Sequence, residues 1–176
     1  MPITETHGPS FTPADSAASA EFRNRHKAGN WALFFLRLVV GYGFLAHGLA
    51  KLSRGPVVFA GILQHLGVPL PLLSAWLTIA TEILGGSAML IGAFVLWASI
   101  PMSLVLLIAA LTVHVQYGFS SIRLLAVSST GATFGPVGYE LDLLYLAALF
   151  TVTVAGPGSL AIDNILRRRE TPKSLV

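Results

Sequence analysis

The sequence has no cysteine and few charged residues. Of its 176 residues, 11 are lysine or arginine and 8 are acidic, so only 11% of the chain is charged. Without cysteine, the chain makes no disulfide, no thiolate metal site and no persulfide, and any sulfur redox chemistry needs a quinone, another metal site or a partner protein. The net charge of +3 does not indicate nucleic-acid binding, because the basic residues flank apolar segments.

Hydrophobic residues are abundant instead and occur in blocks. They make up 54% of the chain, and its mean hydropathy is +0.73. The apolar stretches cover about residues 31–52, 70–92, 93–117 and 139–155. A helix needs roughly 20 apolar residues to cross the hydrocarbon core, and the second stretch runs directly into the third, which requires a tight hairpin. The sequence therefore predicts an all-α integral membrane protein, an antiparallel four-helix bundle.

Basic residues give the orientation of this bundle. They precede the first apolar stretch and follow the fourth, as Arg23, Arg25, Lys27, Arg167, Arg168, Arg169 and Lys173. By the positive-inside rule both termini are cytoplasmic, which predicts a multi-pass protein of the inner (plasma) membrane in contact with its lipid.

The same pattern predicts three regions along the chain. Residues 1–29 lack hydrophobic periodicity and read as a mobile cytoplasmic tail. Residues 30–158 form the transmembrane domain, and 159–176 form a short basic cytoplasmic helix and tail, with Ser159 as its N-cap. That helix either lies on an anionic membrane surface or is an ordinary basic stop after a membrane span.

Ionisable side chains inside or at the rims of the apolar stretches are the candidates for function. Charge at bilayer depth is costly, and such groups usually face the interior of a bundle and pair with one another. The set is Arg37, His47, Lys51, Glu82, His114, Glu140 and Asp142. Helical geometry places Arg37, His47 and Lys51 within an arc of about 80° on the first helix.

Depth in the membrane indicates how these groups pair. Arg37 and Glu82 are expected to form an ion pair within the membrane, with a structural and a functional role equally open. Histidine titrates near neutrality, so His47, His114 and Glu140 are predicted to form a proton-transfer or ligand site at the extracytoplasmic mouth.

Three further expectations complete the predicted site. Glu140 and Asp142 point about 200° apart on a helix, so we expect Glu140 to face inward and Asp142 to lie at the headgroup level. Lys51 is interpreted as a rim residue whose ammonium reaches the interface. The outer loops, residues 53–69 and 118–138, retain apolar residues and either form a pocket for a flat apolar molecule or dock a partner protein. No metal site is predicted.

Motifs distributed along the chain match one known family. In chain order they are Arg37 with Gly41, His47-Gly48, Lys51-Leu52, Gly67-Val68-Pro69 with Pro71, Glu82 with Gly85-Gly86 and Gly92, His114 with Gly118-Phe119, Glu140, and Gly156-Pro157-Gly158 with Ser159 and Asp163. Their order and spacing resemble the DoxX family of small four-helix membrane proteins, over about residues 31–165.

This resemblance implies quinone-linked respiratory chemistry, because family members are associated with a membrane subunit of thiosulfate:quinone oxidoreductase and with oxidative-stress or sulfur-redox assemblies. By analogy, Arg37, His47, Glu82 and His114 hold a quinone headgroup, while His47, His114 and Glu140 exchange protons, together with a protein partner in a redox complex. The absence of cysteine leaves a thiosulfate-handling step without a nucleophile.

Three other functions stay open from the sequence. The first is a non-catalytic membrane anchor or assembly subunit of a redox or respiratory complex. The second is a b-haem subunit with His47 and His114 as axial ligands, which is less favoured because glutamate and lysine are unusual neighbours of porphyrin. The third is a small-solute transporter, for which repeated halves with broken helices are not evident.

Overall fold

The structure, a computed structural model, describes residues 13–170 and is mostly helical. Its elements are α1 (Pro13–Arg54), α2 (Pro56–His65), α3 (Pro71–Ile91), α4 (Val95–Ala109), β1 (Leu124–Ser128), β2 (Gly131–Phe134), α5 (Glu140–Ala155) and α6 (Ile162–Glu170). After α4 the chain continues through a π-helical turn, Ala110–His114, and a 3₁₀ turn, Val115–Tyr117.

Three helical segments of the described part are long and apolar enough to cross a membrane. They are Ser16–Arg54, Pro71–Ile91 and Val95–Tyr117, and they overlap the first three predicted spans. Helix α5 coincides with the fourth predicted span, but it has only 16 residues. Helices α3 and α5 each contact both α1 and α4, so the four long helices surround a shared core.

Glycines set the spacing between α1 and α3. A Cβ atom added at Gly86 would lie 2.6 Å from the backbone nitrogen of Leu45 and 2.8 Å from the carbonyl oxygen of Gly41. Small residues allow helices in membranes to approach this closely. Gly48 likewise faces Glu82, whereas Arg37 faces Gly92 at the end of α3. Earlier residues of α1 therefore face later residues of α3, and later residues of α1 face earlier residues of α3.

Residues 13–29 of the predicted tail are helical, because α1 begins at Pro13. This segment includes Ser16–Glu21, which holds three alanines, and an i,i+4 ion pair joins Arg25 to Glu21 at 2.9 Å. Alanine has the highest helix propensity, and extending an existing helix needs no new nucleus. Residues 1–12 and 171–176, which the predicted tails include, lie outside the described residues.

The all-α prediction is also incomplete, because β1 and β2 form an antiparallel hairpin between α4 and α5. Its pairs include Leu124 with Phe134 and Val127 with Ala132, and every residue of both strands is exposed. The segment 118–138, predicted as a loop, thus carries ordered strands whose two faces both lack cover from the described part of the chain.

The other predicted loop, residues 53–69, contains α2. Ala60 and Leu63 of this helix are buried against Ala75 of α3, with Phe59 and Val68 packed beside them. Helix α2 is therefore held on the surface of α3 by its own small apolar core.

The carboxy-terminal helix begins later than predicted, at Ile162 rather than directly after Ser159. The Ser159 N–H donates a hydrogen bond to the carbonyl oxygen of Asn30 at 2.9 Å. Ser159 thus joins the connection to α1 and does not start the helix.

Candidate functional site

The ionisable residues of the membrane region form three separate contacts in the structure. The first surrounds Arg37, whose side chain is fully buried. Its Nη1 donates to the carbonyl oxygen of Pro157 at 2.9 Å, and Nη2 lies 3.5 Å from the carbonyl oxygens of Ser159 and Leu160. The predicted Arg37–Glu82 ion pair is therefore wrong: Arg37 binds the backbone between α5 and α6.

Asp163 completes this Arg37 cluster, which we define as Arg37, the carbonyls at 157–160 and Asp163. Its two carboxylate oxygens accept hydrogen bonds from the backbone nitrogens of Phe94 at 2.8 Å and Val95 at 3.0 Å. These N–H groups open α4 and have no partner within that helix, so Asp163 caps α4 from a distant part of the chain. Gly92 leaves room for the Arg37 guanidinium, which a side chain there would displace.

The second contact, the α1–α3 pair, joins Lys51 to Glu82. The Lys51 ammonium donates to Oε1 of the Glu82 carboxylate, and it also lies 5.2 Å from the centre of the Phe59 ring on α2. Glu82 is only 4% exposed, and its Oε2 has no hydrogen-bond partner among the described residues. The interpretation of Lys51 as a rim residue is therefore incomplete, because its ammonium neutralises a buried carboxylate.

The third contact, the α4–α5 pair, joins His114 to Asp142. The distance between His114 Nδ1 and Asp142 Oδ2 is 2.6 Å. Asp142 is 5% exposed, whereas His114 is half-buried. The carboxylate fixes the ring through Nδ1 and leaves Nε2 on the other side of the imidazole, an arrangement used wherever a histidine acts on a ligand.

The predicted orientations of Glu140 and Asp142 are reversed. Glu140 is half-buried, and its Oε2 accepts a hydrogen bond from the backbone nitrogen of Ser121 at 2.9 Å. Its own backbone nitrogen donates to the carbonyl oxygen of Phe119 at 2.9 Å. Glu140 is the first residue of α5, so these two hydrogen bonds join the start of α5 to residues 119–121, while Asp142 faces α4.

His47 lies apart from all three contacts. Its side chain is exposed, and it makes no hydrogen bond or ion pair within residues 13–170. The buried face of α1 is centred on Arg37, Phe44 and Gly48, and at 100° per residue His47 falls at its edge. The structure therefore does not bring His47 together with His114 and Glu140.

An open groove of about 530 Å³ lies between α4 and α5, and neither His114 nor Asp142 lines it. Its walls are mainly apolar, with Leu107, Leu146 and Phe150, and they carry the hydroxyls of Ser103 and Thr153. Leu146 follows Asp142 by one helical turn, and Leu107 precedes His114 by about two. His114 is the last residue of the π-helical turn Ala110–His114, which follows the part of α4 that lines the groove, and such distortions occur often at functional sites.

Comparisons with known proteins agree with this architecture. Residues 32–115 match the DoxX family. An uncharacterized protein of Haemophilus influenzae is 30% identical over 143 residues, which cover 80% of this chain and 95% of that protein. The chain belongs to the DoxX family. An uncharacterized membrane protein of Mycobacterium tuberculosis is 27% identical over 163 residues, covering 89% of this chain and 94% of its relative.

No solved structure gives a significant match to this DoxX protein. The family match, the membrane relative and the apolar helices identify it as a membrane protein. The matched region contains Arg37, Lys51, Glu82 and His114, whereas Asp142 lies beyond its end.

Proposed function

We propose that this DoxX protein is the membrane subunit of a redox assembly and binds quinone or quinol at the α4–α5 pair. The observation that carries the proposal is the 2.6 Å contact between His114 Nδ1 and the buried carboxylate of Asp142. Among the described residues it is the contact that combines a titratable ring, a fixed orientation and a second nitrogen available to a ligand.

The chemistry of the pair suits a quinone oxygen. Asp142 accepts a hydrogen bond from the Nδ1–H of His114, which orients the ring whether it is neutral or protonated. His114 Nε2 then donates a hydrogen bond to a carbonyl oxygen, or accepts one from a hydroxyl. A quinone bound there takes up two electrons and two protons when it is reduced to the quinol. The imidazole holds or releases one of these protons at Nε2.

The groove between α4 and α5 fits the apolar part of such a molecule. It begins about one helical turn from Asp142, and its walls are mainly apolar. Ligand sites typically combine a largely apolar wall with a few placed polar groups. A headgroup at His114 therefore leaves the rest of the molecule beside apolar side chains of the same two helices.

The proposed topology is an antiparallel four-helix bundle in the inner (plasma) membrane with both termini cytoplasmic. The positive-inside pattern supports it, and so does the excess of basic residues before residue 31 and after residue 166. In this orientation His114 lies in the outer half of the bundle. Protons are then exchanged on the extracytoplasmic side.

Quinone retention tests the proposal directly. The wild-type protein, purified in mild detergent from its native membrane, is expected to carry quinone measurable by extraction and chromatography. His114→Ala should retain at least about tenfold less, because a hydrogen bond to a charged group contributes roughly 1.5–3 kcal/mol. Asp142→Asn should also weaken retention by releasing the ring.

The matched control is His65→Ala, since His65 is an exposed histidine on α2 bonded only to the carbonyl of Gly61. Its quinone content should equal that of the wild type. Wild-type protein without quinone, or His114→Ala and His65→Ala with equal content, would rule out this site.

The alternative is a non-catalytic anchor or assembly subunit, and the exposed hairpin favours it. Leu124, Val127 and Phe134 are each more than half exposed, and a two-stranded hairpin is marginally stable by itself. Co-purification of a stoichiometric partner, lost on Val127→Ser but unaffected by His114→Ala, would support this function over quinone binding.

A further inference from the structure

Helix α6 is attached to the turn between α3 and α4. The turn consists of residues 92–94 and connects α3 to α4, both of which belong to segments able to span a membrane. Asp163 in the first turn of α6 caps α4, and its backbone nitrogen donates to the carbonyl oxygen of Gly92 at 3.0 Å. Helix α6 therefore starts at the membrane boundary.

The exposed apolar side chains of α6 lie on one side of the helix. Ile162, Ile165 and Leu166 are 38%, 56% and 43% exposed, and their spacing of i, i+3 and i+4 places them on one face. Asp163 and Asn164 are oriented toward the rest of the protein, since Asn164 donates to the carbonyl oxygen of Gly158 at 2.6 Å. Within the described residues, this apolar face stays only partly covered.

Aromatic side chains surround the same end of the protein. Trp31 on α1, and Phe94 and Trp97 at the start of α4, are all exposed. Tryptophan is enriched where a protein crosses the boundary between hydrocarbon and headgroups. Their exposure at this end agrees with a boundary at the level of α6.

Basic residues outnumber acidic ones in α6 and in the α1 extension, which also contain Asp15, Glu21, Asp163 and Glu170. The sequence of α6 continues with Arg167, Arg168 and Arg169, and the α1 extension at the same end carries Arg23, Arg25 and Lys27. Short helices that combine an apolar face with clustered basic residues bind at the surface of anionic bilayers.

We propose that α6 is a binding surface for anionic phospholipid headgroups, with Ile162, Ile165 and Leu166 inserted between the lipids and the basic sequence at 167–169 supplying the charge that attracts them. The Arg37 cluster holds the first turn of α6 at the depth where both contacts are made. This surface is independent of quinone binding at the α4–α5 pair, which lies on other parts of α4 and α5.

Because the sequence has no cysteine, a single introduced cysteine is the one position that a thiol reagent labels. The full-length Leu166→Cys protein is labelled with an environment-sensitive fluorophore and placed in nanodiscs of phosphatidylcholine with or without phosphatidylglycerol. In anionic discs we expect a blue-shifted emission and protection from the neutral quencher acrylamide, and high salt should reverse both.

Replacing Arg167, Arg168 and Arg169 by glutamine in the labelled protein should lower the ratio of docked to undocked helix. Each arginine contributes about fivefold near an anionic surface, so about 100-fold is expected for the three. The matched control removes three basic residues at the same end, Arg23, Arg25 and Lys27, again by glutamine. It should leave the docking of α6 nearly unchanged.

Three results would overturn the proposal. The label is quenched equally by acrylamide in every lipid composition; it is shielded equally in neutral discs, at high salt and in the arginine-free variant; or its shielding depends on protein concentration, which would assign the surface to a second copy. The salt titration of the labelled protein needs no further substitution, so the proposal stays testable if the arginine-free variant fails to fold.

Discussion

The cation that pairs with Glu82 is Lys51 and not Arg37, which instead binds backbone carbonyls. The register of α1 on α3 decides this, because Gly48 contacts Glu82 while Arg37 faces Gly92. The eleven residues from Arg37 to Gly48 correspond to about 16 Å along a helix, farther than an arginine side chain extends. Lys51 lies less than one turn beyond Gly48, so its ammonium reaches the Glu82 carboxylate.

The burial of Glu82 gives a prediction about stability. Lys51→Met leaves a carboxylate in the protein interior without its cation, and breaking a buried ion pair destabilises by about 3–5 kcal/mol. Combining Lys51→Met with Glu82→Gln removes the charge as well and should restore most of that loss. Thermal unfolding of the two single variants and the double variant in detergent measures the coupling. Additive effects of the two substitutions would show that the pair contributes nothing.

The inward orientation of Asp142 agrees with the period of α5. It lies seven residues before Leu149 and ten before Val152, both fully buried, so it shares their helix face. That periodicity identifies Asp142 rather than Glu140 as the inward acid. The capping role of Asp163 could not be predicted, because it depends on contacts with Phe94 and Val95, nearly 70 residues earlier.

Close packing of α1 on α3 is the main contact between elements, and it depends on Gly86. A side chain there meets the backbone of Gly41 and Leu45, which cannot move without shifting a helix. We expect Gly86→Val to destabilise the protein by about 1–3 kcal/mol, measured as the unfolding midpoint in detergent. The control is Gly61→Ala in α2, where a Cβ meets no atom within 4 Å. It should be neutral or slightly stabilising, by up to about 1 kcal/mol. Equal effects of both substitutions would contradict the close approach.

The helices themselves follow from hydropathy, since 20-residue apolar stretches have few alternatives. The hairpin and the start of α1 do not, for different reasons. Residues 124–134 lack the alternation of apolar and polar residues that marks a strand with one buried face, because both faces are exposed. Residues 13–29 are polar and helical. The polarity that predicts a tail therefore reflects only that this part of α1 is exposed.

For the whole molecule, the orientation in the membrane is the prediction that connects the sites. Single cysteines at His26, Ser129 and Ser174 report the amino-terminal extension, the hairpin and the carboxy terminus. A membrane-impermeant thiol reagent added outside spheroplasts should label the cysteine at 129 only, because 26 and 174 are expected in the cytoplasm. Labelling of both 129 and 174 would show that α5 does not cross the membrane, and labelling of 26 and 174 without 129 would show the inverted topology.

The sequence alone thus identifies a membrane protein of the DoxX family and the approximate positions of its apolar helices. It does not determine which charges meet, because pairing depends on helix register. Register depends in turn on glycine contacts such as Gly41 with Gly86 and Gly48 with Glu82.

The Arg37 cluster also imposes an order on biosynthesis. The guanidinium and its acceptor at Pro157 are 120 residues apart in the sequence, so Arg37 enters the membrane long before the carbonyl that receives it has been translated. Until then, the Arg37 guanidinium lacks its carbonyl acceptor and the start of α4 lacks its cap while the chain is being inserted. A nascent chain that stops before Pro157 lacks both the acceptor of Arg37 and the cap of α4, whereas one that stops between Leu160 and Asp163 lacks only the cap.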